Sequence, residues 1–143
     1  MILAQLLYPR GRTRRLWFWL GILIVGVLQE AAGRLVGWVL PGQIGNVLLV
    51  ISVFYLSTSL VIGRLHDHDR TEWWALLVQG PPACLQVLIL TGIINIDEMV
   101  RSMYFTIPVI LWVLPQAFYL GFLRGTVGPN RFGQDPLSGP PID

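Results

Sequence analysis

The chain has 143 residues, of which 54% are apolar and only 13% charged, far below the roughly 25% charged residues of soluble domains, so lipid is the expected solvent for most of it. Ten arginines, no lysine and eight acids give a formal charge of +2, too small and too dispersed for a nucleic-acid-binding surface, and none is expected. The single cysteine, Cys84, excludes an intramolecular disulfide and any multi-cysteine metal motif.

A helix needs about 20 mostly apolar residues to cross about 30 Å of hydrocarbon. Four segments have that length, roughly 16–40, 44–63, 73–94 and 103–123. They predict an all-α polytopic bundle over residues 1–124, followed by a tail at 125–143. The first segment, within "RGRTRRLWFWLGILIVGVL", has the basic flank and apolar core of a signal peptide. Its apolar run continues to Leu40 and three further segments follow, so it reads as a retained span. Arg10, Arg12, Arg14 and Arg15 stand just before it, as a topology determinant and a contact for anionic lipids worth about 1 kcal/mol per residue near the surface.

Glu30 and Arg34 lie four apart toward the far end of this span, on one helical face. An ionisable residue inside a span is a functional hypothesis by default, and small multidrug transporters also place a Glu in the first of four helices. Glu30 is about 21 Å from the span's start, nearer the outer surface than the midplane, and Arg34 is a built-in counter-ion, so a paired or snorkelling couple is the simpler reading. Gly21, Gly26, Gly33 and Gly37 supply small residues for close helix packing, within the chain or between copies.

The linker "GRLHDHDRTEWW", residues 63–74, carries the chain's only histidines. As a metal site it is short of ligands: the spacing of His66 and His68 puts them on one side of an extended chain but on different faces of a helix, and no third histidine exists; no metal is expected. As an acid–base centre it lacks a nucleophile: Ser57, Thr58 and Ser59 sit within a span, where hydroxyls bond back to the helix, so no catalytic residue is assigned. A charged hinge at the membrane surface accounts for more residues. Arg64 can pair with Asp67, and Asp67 with Arg70. Asp69 or Thr71 can cap the third helix, Glu72 suits the positive end of its dipole, and Trp73 and Trp74 anchor it at the interface, as Trp17, Trp19 and Tyr104 do elsewhere.

"QGPPA", residues 79–83, and Pro108 and Pro115 predict that the third and fourth helices kink or break. A broken third helix is what a transporter would use. "NIDEMVRS" reads as a loop before the fourth span. After Leu123 comes "RGTVGPNRFGQDPLSGPPID", in which Gly125 is expected to end the helix in a left-handed conformation; "GPNRFGQDP" is expected to be ordered and the rest loose. With the N-terminus inside, Arg10, Arg12, Arg14, Arg15, Arg64, Arg70, Arg124 and Arg131 share one side, and only Arg34 and Arg101 lie at or beyond the other. That bias predicts a multi-pass protein with both termini cytoplasmic.

Three stretches, "YPRGRTRRLWFWLGIL", "GRLHDHDRTEWWALL" and "GTVGPNRFGQDP", resemble in order and spacing the bacterial inner-membrane family known as domain of unknown function 805, the YhaH-like proteins. The resemblance runs from about Tyr8 to Pro136. The family's motifs fall on Gly11, Arg12, Arg15 and Trp19; on Arg64, Leu65, His66, Asp67, Arg70, Thr71, Trp73 and Trp74; and on Gly125, Thr126, Gly128, Asn130, Arg131, Phe132, Gly133, Asp135 and Pro136. His68 and Asp69 fall in its variable part, which weakens the metal reading. "TGIINIDEMVRSMYFTIPV" is longer here than in shorter members, so the resemblance leaves three or four spans open. It implies a location in the bacterial inner (plasma) membrane and no established activity or cofactor.

The expectation that follows is a polar network beneath the bundle in which Arg12, Arg15, Arg131, His66, Asp67 and Asp135 meet, with Phe132 packed on Trp73 or Trp74. The expected function is a non-enzymatic scaffold, interaction or lipid-contacting module. Its partners would be the bilayer, in particular anionic lipids, and a second copy or another membrane protein. The alternatives are a small transporter or channel using Glu30, Arg34 and the third span, and an enzyme acting on a lipid headgroup through His66.

Overall fold

The computed structural model describes residues 11–39 and 43–137. Arg10, Pro41, Gly42 and the part of the tail expected to be loose, residues 138–143, lie outside the described residues. The chain folds as helices α1 (Arg15–Val39), α2 (Gln43–Asp67), α3 (Trp74–Leu90), α4 (Ile96–Arg101) and α5 (Met103–Gly121). Among the described residues the only β pairing is an isolated bridge between Asn130 and Gly133. Helices α1, α2 and α5, of 25, 25 and 19 residues, are long and apolar enough to cross a membrane, and α3 is shorter. Its 17 residues extend about 25 Å.

The second helix runs four residues past its expected end at Gly63, so half of the hinge motif is helical. It stops in a turn in which Arg70 N donates to Leu65 O and Asp69 N to His66 O, the paired bonds of a Schellman motif. The left-handed position of that turn is Asp69, with φ 57°, one of the few non-glycine residue types that adopt it. Asp69 therefore closes α2 and does not cap α3. Neither does Thr71: the residue at the start of α3 is Trp73, which makes no side-chain capping bond.

Pro81 and Pro82 do not break α3, which continues through both as α-helix, and α5 likewise runs on through Pro108 and Pro115. Each proline removes one backbone bond, and neighbouring turns keep the helix continuous. The "NIDEMVRS" loop folds into α4 because Asn95 accepts a hydrogen bond from Asp97 N at 2.9 Å, and Asp97 and Glu98 occupy its first turn. Gly125 is not left-handed; in the tail, positive φ falls at Gly128 and Gly133.

The buried apolar core joins Phe18 and Val25 of α1, Leu60, Val61 and Leu65 of α2, Ala75 of α3 and Leu120 of α5. Most of it lies near the Arg15 end of α1, where α2 ends and α3 begins. Away from that end large apolar side chains such as Trp38, Ile44 and Tyr104 are exposed, as a lipid-facing surface requires. Helices α1 and α2 pack closely at Gly21, where an added Cβ would lie 2.6 Å from Leu60 Cδ2, and less tightly at Gly33, 3.6 Å from Leu49 Cδ2. Gly26 and Gly37 face open space.

Candidate functional site: a polar cap closed by the segments flanking the bundle

Arg64 is the centre of the cap and is fully buried, at 0% exposure. It lies within α2, one turn before the helix ends, and its side chain reaches into the gap between the start of α1 and the end of α5. Nε donates to Leu120 O at 2.6 Å. Nη1 donates to Thr13 O at 3.0 Å and to the carboxylate of Asp67. Nη2 donates to Leu123 O at 2.8 Å and meets Nε2 of His68 at 3.3 Å. A guanidinium has five N–H donors, and here all five have partners.

Those contacts solve a problem set by the helix end. The last carbonyls of α5 have no backbone donors, and side chains from α1 and α2 supply them. Leu120 O and Leu123 O take Arg64, Gly121 O takes Trp19 Nε1 at 3.2 Å, and Phe122 O takes Arg15 Nη1 at 3.0 Å. Arginines at this end also complement the negative pole of the helix dipole.

Asp67 accepts from a second buried arginine, Arg12, whose Nε lies 2.9 Å from Oδ1. Arg12 holds the tail as well, donating to Gly128 O at 2.6 Å and to Thr126 O. The backbone carbonyl of Asp67 completes the clasp by accepting from Thr126 N at 2.8 Å and Thr126 Oγ1 at 3.0 Å. Close approach makes two glycines obligatory. A Cβ at Gly125 would collide with the side chain of Asp67 and lie 2.5 Å from its carbonyl oxygen, and one at Gly63 would collide with the Thr13 side chain.

The tail is built as a turn around Asn130 and Asp135. Asn130 Nδ2 donates to His66 O at 2.9 Å and its Oδ1 accepts from Phe132 N at 2.9 Å. Asp135 accepts from Gly128 N at 3.1 Å and Leu137 N at 2.9 Å. The backbone N–H of Leu137 foremost, with that of Gly128, holds the Asp135 carboxyl below the usual carboxylate range. His66 Nδ1 lies 3.3 Å from Gly11 O; the carbonyl accepts, so this nitrogen donates. Its Nε2 faces Glu72 Oε2 at 3.6 Å.

The site thus brings Arg12, Arg15, His66, Asp67 and Asp135 together, with differences in detail. Arg131 pairs with Asp69, at 3.1 Å to Oδ1 and 2.7 Å to the backbone oxygen, because the left-handed turn presents Asp69 to the tail. Phe132 does not pack on Trp73 or Trp74 but stacks on His66, with 3.9 Å between centroids and 8° between planes. The expected Arg70–Asp67 pair gives way to a cation–π contact of Arg70 over Trp74 at 5.2 Å, since both arginines at Asp67 come from α2 and the N-terminal strap. Trp73 and Trp74 are exposed. Thr13, Thr126, His68 and Asp69 were missed as site residues. His68 stacks on Tyr119 at 4.5 Å, and burial, then the Arg64 charge, pushes its imidazole below the usual range. A neutral His68 has the Nε2 lone pair that Arg64 needs. Thr126 carried a signal in its place in "GTVGPNRFGQDP", and His68 and Asp69 in "GRLHDHDRTEWW", where they read as turn residues.

The cap draws its residues from all three sequence motifs. The family described as "Protein of unknown function (DUF805)" matches residues 6–134. "Inner membrane protein YhaH" of Escherichia coli (strain K12) is 32% identical over 132 residues, covering 89% of this chain and 85% of the relative. "Inner membrane protein YhaI" of the same organism is 30% identical over 132 residues, covering 90% and 86%. This chain belongs to the DUF805 family. No solved structure matches it. As a DUF805 protein with several apolar helices it is an inner-membrane protein of a family of unknown function.

Elsewhere in this DUF805 chain, Glu30 and Arg34 bond to each other at 2.9 Å with side chains 71% and 79% exposed. The groove above them is lined by α1 alone, from Ile22 to Arg34, and does not reach Pro81. Among the described residues no group of three or more His, Cys, Asp or Glu is placed to hold a metal ion. A cavity of about 340 Å³ does open beside the cap, lined by Arg14, Arg15, Arg124 and Leu137 among others.

Proposed function

We propose that this protein is a non-enzymatic module of the inner membrane, with both ends of the chain on the cytoplasmic face, whose cap is a fixed polar surface for anionic lipid and for a membrane-protein partner or second copy. The saturation of Arg64 supports this reading most directly. A guanidinium at 0% exposure whose donors all end on internal acceptors has none left for a substrate, and Asp67 is similarly consumed by Arg12 and Arg64. Groups so engaged fix the segments that precede α1 and follow α5 against the bundle. A transport path through Glu30 lacks support, because its groove involves a single helix.

Photo-crosslinking in living cells tests the proposal. A photoreactive residue at exposed Gln134 or Pro129 should give a discrete protein or lipid adduct, and one at Trp38, on the opposite end of α1, should give lipid only. A cap that yields no adduct from either position would overturn it.

A further inference from the structure

We propose that the cavity beside the cap binds the phosphate of one anionic glycerophospholipid. The inference rests on reading the cap as a lipid-contacting surface and gives that surface a specific ligand. The cavity measures about 340 Å³ and lies where the start of α1 meets the chain leaving α5 and the tail turn, within the roughly 300–1,000 Å³ of ligand sites.

Its cations are available. Arg14 and Arg124 are exposed, and their guanidinium groups make no hydrogen bond or ion pair with a described residue. Arg15 commits one nitrogen to Phe122 O and keeps the rest of its fork. Two carboxylates also line the wall, but their oxygens are occupied: those of Asp67 by Arg12 and Arg64, those of Asp135 by backbone N–H groups. Arg12 and Arg64 stand behind the wall, so five arginines face two carboxylates. Free arginine forks match phosphate oxygens bidentately. The surplus of arginine over carboxylate leaves the cavity positively charged, which favours an anionic lipid over a zwitterionic one.

Depth favours a lipid over soluble phosphate. Arg15 begins the 25-residue apolar helix and Arg124 follows the end of another, which sets the cavity at headgroup level. Leu16 and Leu137, both exposed, give it an apolar rim for the glyceride and the upper acyl chain.

Native mass spectrometry of the full chain, released from bilayers of equal phosphatidylglycerol and phosphatidylcholine, tests this. One phosphatidylglycerol should be retained about tenfold over phosphatidylcholine, the double variant Arg14→Gln/Arg124→Gln should lose that preference, and Arg101→Gln should keep it. If the double variant loses helical circular dichroism, Arg124→Gln alone carries the test, with a loss of at least threefold expected. Equal retention of both lipids, an unchanged preference in the folded variant, or displacement of the lipid by excess inorganic phosphate would each overturn the proposal. Crosslinks from Gln134 in the same double variant separate two failures: adducts without lipid preference sink the phosphate site alone, while no adducts in the parent chain sink the reading of the cap.

Discussion

The imidazole of His66 lies flat on the ring of Phe132, 3.9 Å between centroids, and this stack joins the end of α2 to the tail. Arg131 lies over the same ring at 4.9 Å, so one aromatic side chain serves two partners. Aromatic stacking adds about 0.5–1.5 kcal/mol to the burial of the ring. Phe132→Ala should therefore release the tail locally while the helices persist. Trypsin cleavage after Arg124 and Arg131 should rise about tenfold, matching a local loss of about 1.4 kcal/mol, with unchanged helical circular dichroism. Unaltered cleavage would show that the stack does not hold the tail.

Asp67 is bonded to both buried arginines of the cap. Asp67→Asn removes the charge that both guanidinium groups bond, a change that costs about 3–5 kcal/mol. Thermal unfolding in mild detergent should show a large drop in midpoint. Arg34→Gln, which breaks an exposed pair, should cost less than about 1 kcal/mol. Equal effects from the two variants would contradict the placement of the buried charges.

Gly125→Ala and Gly26→Ala separate close approach from mere helix chemistry. A Cβ at Gly125 meets the Asp67 backbone oxygen at 2.5 Å, which cannot swing aside, so a loss of about 1–3 kcal/mol is expected. Gly26 has nothing within 4 Å of the added atom, and alanine there should be neutral or stabilise by up to about 1 kcal/mol. The same thermal measurement reads both.

His68 gives stability a pH dependence with a definite sign. Its folded imidazole resists protonation because burial, then the Arg64 charge, disfavours the cation. The unfolded group takes its proton near 6.5, so from there down to the lower folded value the unfolded state binds more protons and stability falls as pH falls. Midpoints measured from pH 8 to pH 5.5 should decline in the parent chain, and His68→Gln should flatten the decline. The Asp135 carboxyl acts later: its stabilisation is present above the ordinary carboxylate value of 3.8 and is lost as pH falls through the depressed one.

Much of the architecture was written in one-dimensional patterns. Apolar runs long enough to cross a bilayer marked α1, α2 and α5, and the i, i+3 and i, i+4 spacings that placed Arg64 with Asp67 and Glu30 with Arg34 both reappear as ion pairs. Such patterns are local, and a helix converts sequence spacing directly into adjacency. Helix ends were less legible. The α2 terminus depends on Asp69 adopting a left-handed conformation, and the continuity of α3 through Pro81 and Pro82 depends on neighbouring turns.

By itself the sequence determined the medium, the helical class and the three motifs destined for one cap, because hydropathy and charge act on each residue wherever it lies. Tertiary structure alone decided who meets whom inside that cap. Arg64 ends on the carbonyls of Thr13, Leu120 and Leu123, Phe132 on His66 and Arg131 on Asp69. Backbone carbonyls are the same in every residue, so a side chain that binds them leaves no matching letter in the chain.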